Sequence, residues 1–285
     1  MTATSRYAIA TVVAAVIVGL LAWAAIAAYH PVRPRLMCQM PLGNGEVAVY
    51  FGYTNSEDEP VTVELGPLLE HARVVAPDVV GQSVKSEDRR IELDGPAYAE
   101  WLTDVLDALS IDRAHLLGVS FGGFVASKVA AHAPERIDRL VLLVPAGFVS
   151  GPAWKGFTKV GWPMMMYRAF PNDARLRRAL ANLLTTPDDE AWREHLRAAF
   201  VAYNLDMRIP PLAKDGALER FRRPTLVVGA SDDLSFPGAR LLARAKQLLP
   251  HAETELIEDC KHCPPTNDAF RAWLAGRILE FLGSE

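Results

Sequence analysis

Two apolar periodicities alternate along residues 36–285. Short, nearly continuous apolar runs stand at 46–51 (EVAVYF), 72–77 (ARVVAP), 114–118 (AHLLG), 139–144 (RLVLLV), 224–229 (PTLVVG) and 254–258 (TELIE). Runs of this kind predict parallel strands covered on both faces. Residues 61–65 (VTVEL) are a weaker strand candidate. Helical patterns lie between them. The pattern over 96–109 starts with Pro96 in its first turn and sets Trp101, Leu102, Val105, Leu106 and Leu109 on one face. Residues 121–133, 238–248 and 267–282 give the other helices. This alternation predicts an α/β fold, with a mostly parallel, doubly wound sheet and right-handed crossovers.

One stretch breaks the rhythm. Residues 150–215 hold no good strand, only helical patterns at 173–184 and 187–204 and the bulky run GWPMMMYRAF at 161–170. They read either as an extra packing layer or as a helical lid inserted over the mouth of the sheet. The expected division is therefore a core of 36–149 and 216–285, a lid of 150–215, and an N-terminal segment of 1–35.

That segment is unlike the rest. Residues 7–29 carry no charge over 23 residues. At ~1.5 Å per residue such a helix spans a ~30 Å hydrocarbon layer. The expectation is a retained, single-pass membrane anchor. A cleaved signal peptide, with Ala25-Ile26-Ala27 as the cleavage site, is the alternative. Arg6 lies on one side of the run, Arg33 and Arg35 on the other. A short positive tail kept inside places the globular part outside the cytoplasm.

Composition narrows the function. Half of the 285 residues are hydrophobic, enough for a full core. The net charge of −4, with no basic stripe, excludes nucleic acid as the expected partner. Of three cysteines, Cys260 and Cys263 form CKHC. No second such pair completes a zinc set, so no metal is expected, and the two read as a local disulfide or as quiet thiols.

The chemistry centres on residues 116–124, LLGVSFGGF. A strand ends at Gly118 and a helix begins near Phe121, so Ser120 sits on a tight, strained turn. Gly118 and Gly122 are the positions where a side chain would collide across that turn. The helix N-terminus offers free N–H groups, that of Phe121 first, to a developing oxyanion. A serine hydroxyl also needs a base, and that base an orienting acid. Of seven histidines, His262 in DCKHCPP follows the last strand, at the same sheet edge. The others sit within elements, beside the apolar N-terminal run, or (His251) on the opposite edge. VVGASDDLSFP (227–237) follows the preceding strand and offers Asp232 or Asp233.

The order Ser120, Asp232 or Asp233, His262 resembles the α/β-hydrolase fold superfamily, in particular its lid-bearing esterase and lipase-like branch. The resemblance covers roughly 40–283. VVAPDVVGQS (74–83) and PERIDRLVLLVPAG (134–147) look like its strands before the B helix and after the nucleophile helix. In that family the acid commonly lies four residues before a proline, which favours Asp233, ahead of Pro237. The serine excludes the aspartate-nucleophile members.

The resemblance implies a serine hydrolase acting through an acyl-enzyme on a hydrophobic, ester-like small molecule, without metal or organic cofactor. Thioesterase, C–C hydrolase or acyltransferase chemistry would use the same three residues. A non-catalytic ligand-binding role is the rival of a different class. The sequence departs from the family in one respect. The usual His-Gly pair after an early strand, whose loop supplies a second oxyanion donor, is missing: either VTVEL is that strand and Leu65-Gly66 stands in its place, or VELGPLLEH is the helix and the strand and loop before it are absent. Loss of such a donor costs about 10²–10³ in turnover.

Overall fold

The structure is a computed structural model and describes residues 35–42, 46–52, 74–81, 89–190, 193, 196–197, 208–265 and 267–283, with backbone alone over 35–52. Two strands come first, β1 (Arg35–Leu42) and β2 (Glu46–Gly52), paired antiparallel. After them come α1 (Ala97–Ala108), β3 (Ala114–Val119), α2 (Phe121–His132) and β4 (Ile137–Leu143). Past a helical insertion, β5 (Thr225–Ala230), α6 (Gly238–Leu248), β6 (Glu253–Ile257) and α7 (Asp268–Gly283) complete the chain.

Strands β3 to β6 form a parallel sheet in the order β3-β4-β5-β6. The continuous apolar runs have the reason expected of them. In β4, Leu140 and Leu142 join a cluster with Val125 and Val129 of α2 and Leu241 and Ala245 of α6. Val141 and Leu143 face the other way, into a cluster with Ile278 and Phe281 of α7. Side chains alternate faces along a strand, so a sheet covered on both sides needs an apolar residue at every position. Burying one such leucine contributes about 1.5–3 kcal/mol. Since the strands are parallel, every strand-to-loop exit from β3, β5 and β6 falls on the same, carboxyl edge.

Residues 74–77, the described part of the expected strand 72–77, depart from expectation. They pair with none of the described strands, and Val74 and Val75 are exposed. An apolar run reports what a strand would bury, but Pro77 withholds an N–H from any ladder. The candidate strand 61–65 and the Leu65-Gly66 position lie outside the described residues. So do residues 7–29. Among the described residues no helix is long and apolar enough to cross a membrane. The single-pass membrane placement with an extracytoplasmic globular part is corrected accordingly and carries no weight below. It rested on the apolar length of residues 7–29 and on the charges that flank them.

The segment between β4 and β5 has helices within 153–180. It comprises α3 (Ala153–Gly156), a π-helical turn over Phe157–Gly161, α4 (Trp162–Ala169) and α5 (Asp173–Leu180). Asn172 caps α5 by accepting from the Arg175 N–H at 2.9 Å. Met164 and Tyr167 of the bulky run pack with Leu176, Ala179, Leu180 and Leu184 in a small core of their own. Trp162, Met165 and Phe170 stay exposed. The run is thus part packing layer and part surface.

Candidate active site

Ser120 has φ 51° and ψ −113°, left-handed backbone that a side chain adopts only under constraint. The constraint is a set of backbone bonds. The Ser120 N–H donates to Leu143 O at 3.0 Å, and its carbonyl accepts from Gly123, Phe124 and Ala146 N–H groups at 3.0, 3.2 and 2.9 Å. A Cβ on Gly118 would lie 2.5 Å from Gly122 O, so that glycine is required. The expectation for Gly122 is corrected. Nothing among the described residues lies within 4 Å of a Cβ there, while one on Gly123 would sit 2.7 Å from Pro145 Cβ. The helix packs against the loop after β4 through the second glycine of the GG pair, because one step along a helix turns a side chain by about 100°.

Among the described residues the Phe121 N–H has no acceptor and stands free at the first turn of α2. The Phe121 ring anchors that turn. It meets Tyr98 edge-on at 5.5 Å and Phe124 at 5.5 Å.

The three residues expected to act together are adjacent. His262 Nε2 lies 2.9 Å from Ser120 Oγ, and its Nδ1 lies 2.8 Å from Asp233 Oδ2. An ionised carboxylate only accepts, so the Nδ1–H donates to Asp233 and Nε2 accepts from the serine hydroxyl. The Asp233 side chain is 0% exposed. Its Oδ1 accepts from the Ser235 and Phe236 N–H groups at 2.7 and 3.1 Å, which fixes the carboxylate and offsets its burial. Asp232 is not brought to the histidine. It is exposed, its Oδ1 faces Ser231 Oγ at 3.4 Å, and its N–H donates to Cys260 O at 2.9 Å.

Elsewhere, His115 Nδ1 is 3.7 Å from Asp138 Oδ2, and His251 Nε2 is 2.9 Å from Arg223 O, so each has its partner outside the serine–histidine–aspartate cluster.

A family model described as "alpha/beta hydrolase fold" matches residues 51–181. The 2-hydroxymuconate semialdehyde hydrolase of Pseudomonas sp. (strain CF600) is 37% identical over 228 residues, 74% of this chain and 78% of that one. The chain belongs to the α/β-hydrolase family. Carboxylesterase YbfK of Bacillus subtilis (strain 168) is 24% identical over 223 residues, covering 74% of this hydrolase and 71% of the relative. The crystal structure of that carboxylesterase, CesB (YbfK), shares the fold at a TM-score of 0.58 and 21% identity, over 72% of each chain.

Sequence reasoning missed one contact of the hydrolase's His262 and one of its chain neighbours. Phe236 lies edge-on to the imidazole, centroids 5.3 Å apart, and only its nearness to Asp233 hinted at this. Thr185 bonds the residues on either side of His262, and nothing in the chain signalled it. Cys260 and Cys263 are free. Cys260 packs in the cluster under the sheet and Cys263 in the core of the insertion. Burial, then the charge of Asp233, pushes the Cys263 thiol from 9.0 up to about 12. The Cys260 thiol is raised mainly by burial. Two thiols held in separate apolar clusters are quiet, which decides against the disulfide alternative.

Proposed function

We propose that this hydrolase cleaves an ester-type bond through an acyl-enzyme, with Ser120 as nucleophile, His262 as general base and then acid, and Asp233 holding the imidazole. The observation that carries the reading is the continuous chain of 2.9 Å and 2.8 Å contacts from Ser120 Oγ through His262 to a buried carboxylate. As Oγ attacks the carbonyl carbon, its proton passes to Nε2, and Asp233 stabilises the imidazolium. The carbonyl oxygen becomes an oxyanion next to the free Phe121 N–H and the positive end of α2. Collapse expels the alcohol, which takes the proton from Nε2. Water then repeats the sequence on the acyl-serine. These steps draw on no metal or organic cofactor.

In this reading residues 36–149 and 216–285 are the catalytic core and 150–215 a lid. The exposed Trp154, Phe157, Trp162 and Met165 accord with a hydrophobic small-molecule substrate. A second reading is C–C bond hydrolysis of a ring-cleavage product. It is favoured by the higher identity to the 2-hydroxymuconate semialdehyde hydrolase, 37% against 24% for the carboxylesterase.

A fluorophosphonate probe should label the wild type rapidly, Ser120→Ala not at all and His262→Ala slowly. Ester turnover should fall on the order of 10⁴-fold or more in Ser120→Ala. A folded wild type that never labels would overturn the reading. Rates on nitrophenyl esters and on 2-hydroxymuconate semialdehyde, compared side by side, separate the two reactions.

A further inference from the structure

We propose that Thr185, in the insertion between β4 and β5, is a positioning residue for His262, so that the inserted segment braces the base as well as covering the site. The proposal rests on the catalytic reading above. The loop 258–263 turns sharply after β6, with Asp259 at φ 51°, and has no regular structure to satisfy its backbone groups. Its Cys260 carbonyl accepts from the Asp232 N–H, and the groups on either side of His262 are satisfied on the insertion.

The Lys261 N–H donates to Thr185 Oγ1 at 2.9 Å, and the same hydroxyl donates to Cys263 O at 2.9 Å. A hydroxyl has one proton and two lone pairs. Here one threonine spends both roles on the residue before and the residue after the histidine. The Thr185 N–H adds a second bond to Cys263 O at 3.0 Å, and the Cys263 N–H donates to Leu183 O at 2.8 Å. Lys261 Nζ reaches Ala181 O at 2.8 Å.

Side-chain packing repeats the arrangement. Cys260 belongs to the cluster of the sheet, while Cys263 packs into the core of the insertion. His262 therefore sits on the seam between two cores. The other end of the insertion is joined to the acid loop, where the Gly151 N–H donates to Ser235 O at 2.7 Å. The imidazole thus has two supports. Asp233 fixes the ring, and Thr185 fixes the backbone that carries it. A shift of ~1 Å in that backbone costs about 10²-fold in rate, because proton transfer to Nε2 needs the Ser120 hydroxyl within hydrogen-bond reach.

The test compares Thr185→Val, which keeps the shape and removes the hydroxyl, with Thr185→Ser, which keeps the hydroxyl. Thr185→Val should lower kcat on a nitrophenyl ester about 10–100-fold while KM stays within about two-fold. Its fluorophosphonate labelling should slow in step, and the proton NMR signal of the His262 Nδ1–H should broaden. Thr185→Ser should recover kcat to within about three-fold. Unchanged kcat in a folded Thr185→Val, or no recovery in Thr185→Ser, overturns the proposal. If Thr185→Val does not fold, Thr185→Ala, which removes the same hydroxyl with less bulk, decides it. A several-fold fall in kcat at constant KM supports the brace, and unchanged kcat sinks it. A wild type that fails to label condemns the catalytic reading instead.

Discussion

The serine elbow at 118–123 and the histidine loop at 258–263 both follow a strand of the same parallel sheet, yet they are held in different ways. The elbow is held by its own glycines and by the adjacent strand exit. Gly118 abuts Gly122, Gly123 abuts Pro145, and the Ser120 backbone bonds Leu143 and Ala146. The histidine loop is held by partners brought from afar, Asp233 from the loop after β5 and Thr185 from the insertion. The elbow is therefore a local device that a motif can record. The histidine loop takes its shape from segments distant in sequence, and its precision depends on how they dock.

Three measurements would break or sharpen this contrast. The largest effect is expected at the histidine. Asp233→Asn should reduce kcat about 10⁴-fold with the fold intact, because an amide can donate to Nδ1 and favour the wrong tautomer. Asp232→Asn should change kcat less than about two-fold, since Asp232 is exposed and faces Ser231 rather than His262. Equal losses in the two variants would mean that the buried carboxylate does not orient the base.

At the elbow, Gly123→Ala should destabilise the protein by about 1–3 kcal/mol in urea unfolding, as an inserted methyl must displace Pro145. Gly122→Ala should be neutral or stabilising by about 0.5–1 kcal/mol, because alanine favours a helix where space is open. If Gly122→Ala proved the costlier, the packing of α2 on the β4 exit would be wrong.

The smallest effect is the alkaline response of the histidine loop. Burial holds the Cys263 thiol up to about 12 in the folded state, against ~8.5 in an unfolded chain. Its raised value means that the folded state keeps a proton the unfolded chain gives up. The stability it lends is complete below about pH 8.5 and is lost as pH rises towards about 12. The thermal midpoint should fall across that window, and less steeply in Cys263→Ala. Identical slopes in the two proteins would show that the thiol is not buried as described.

Much of this was legible beforehand. The runs at 114–118, 139–144, 224–229 and 254–258 became β3 to β6 within a residue or two, and helices at 97–108, 121–132, 238–248 and 268–283 match their periodicities. The motif and the strand exits named Ser120, His262 and the aspartate pair. Less was legible where a face mattered rather than an element. Gly122 and Gly123 are equivalent in composition, and only Pro145 across the helix separates them. Residues 72–77 read as a strand, yet the described part of them, 74–77, has no strand assignment.

The chain by itself determined which residue types stand at the ends of parallel strands, because apolar runs and glycine turns act over a few residues and leave a repeating mark. It favoured Asp233 over Asp232 only through a family resemblance in the spacing to Pro237, and it did not point to Thr185. Those outcomes depend on burial of one carboxylate and on bonds linking segments about eighty positions apart, 78 in the case of Thr185 and Cys263. Such contacts carry no periodic signal and exist only once the insertion is packed against the sheet.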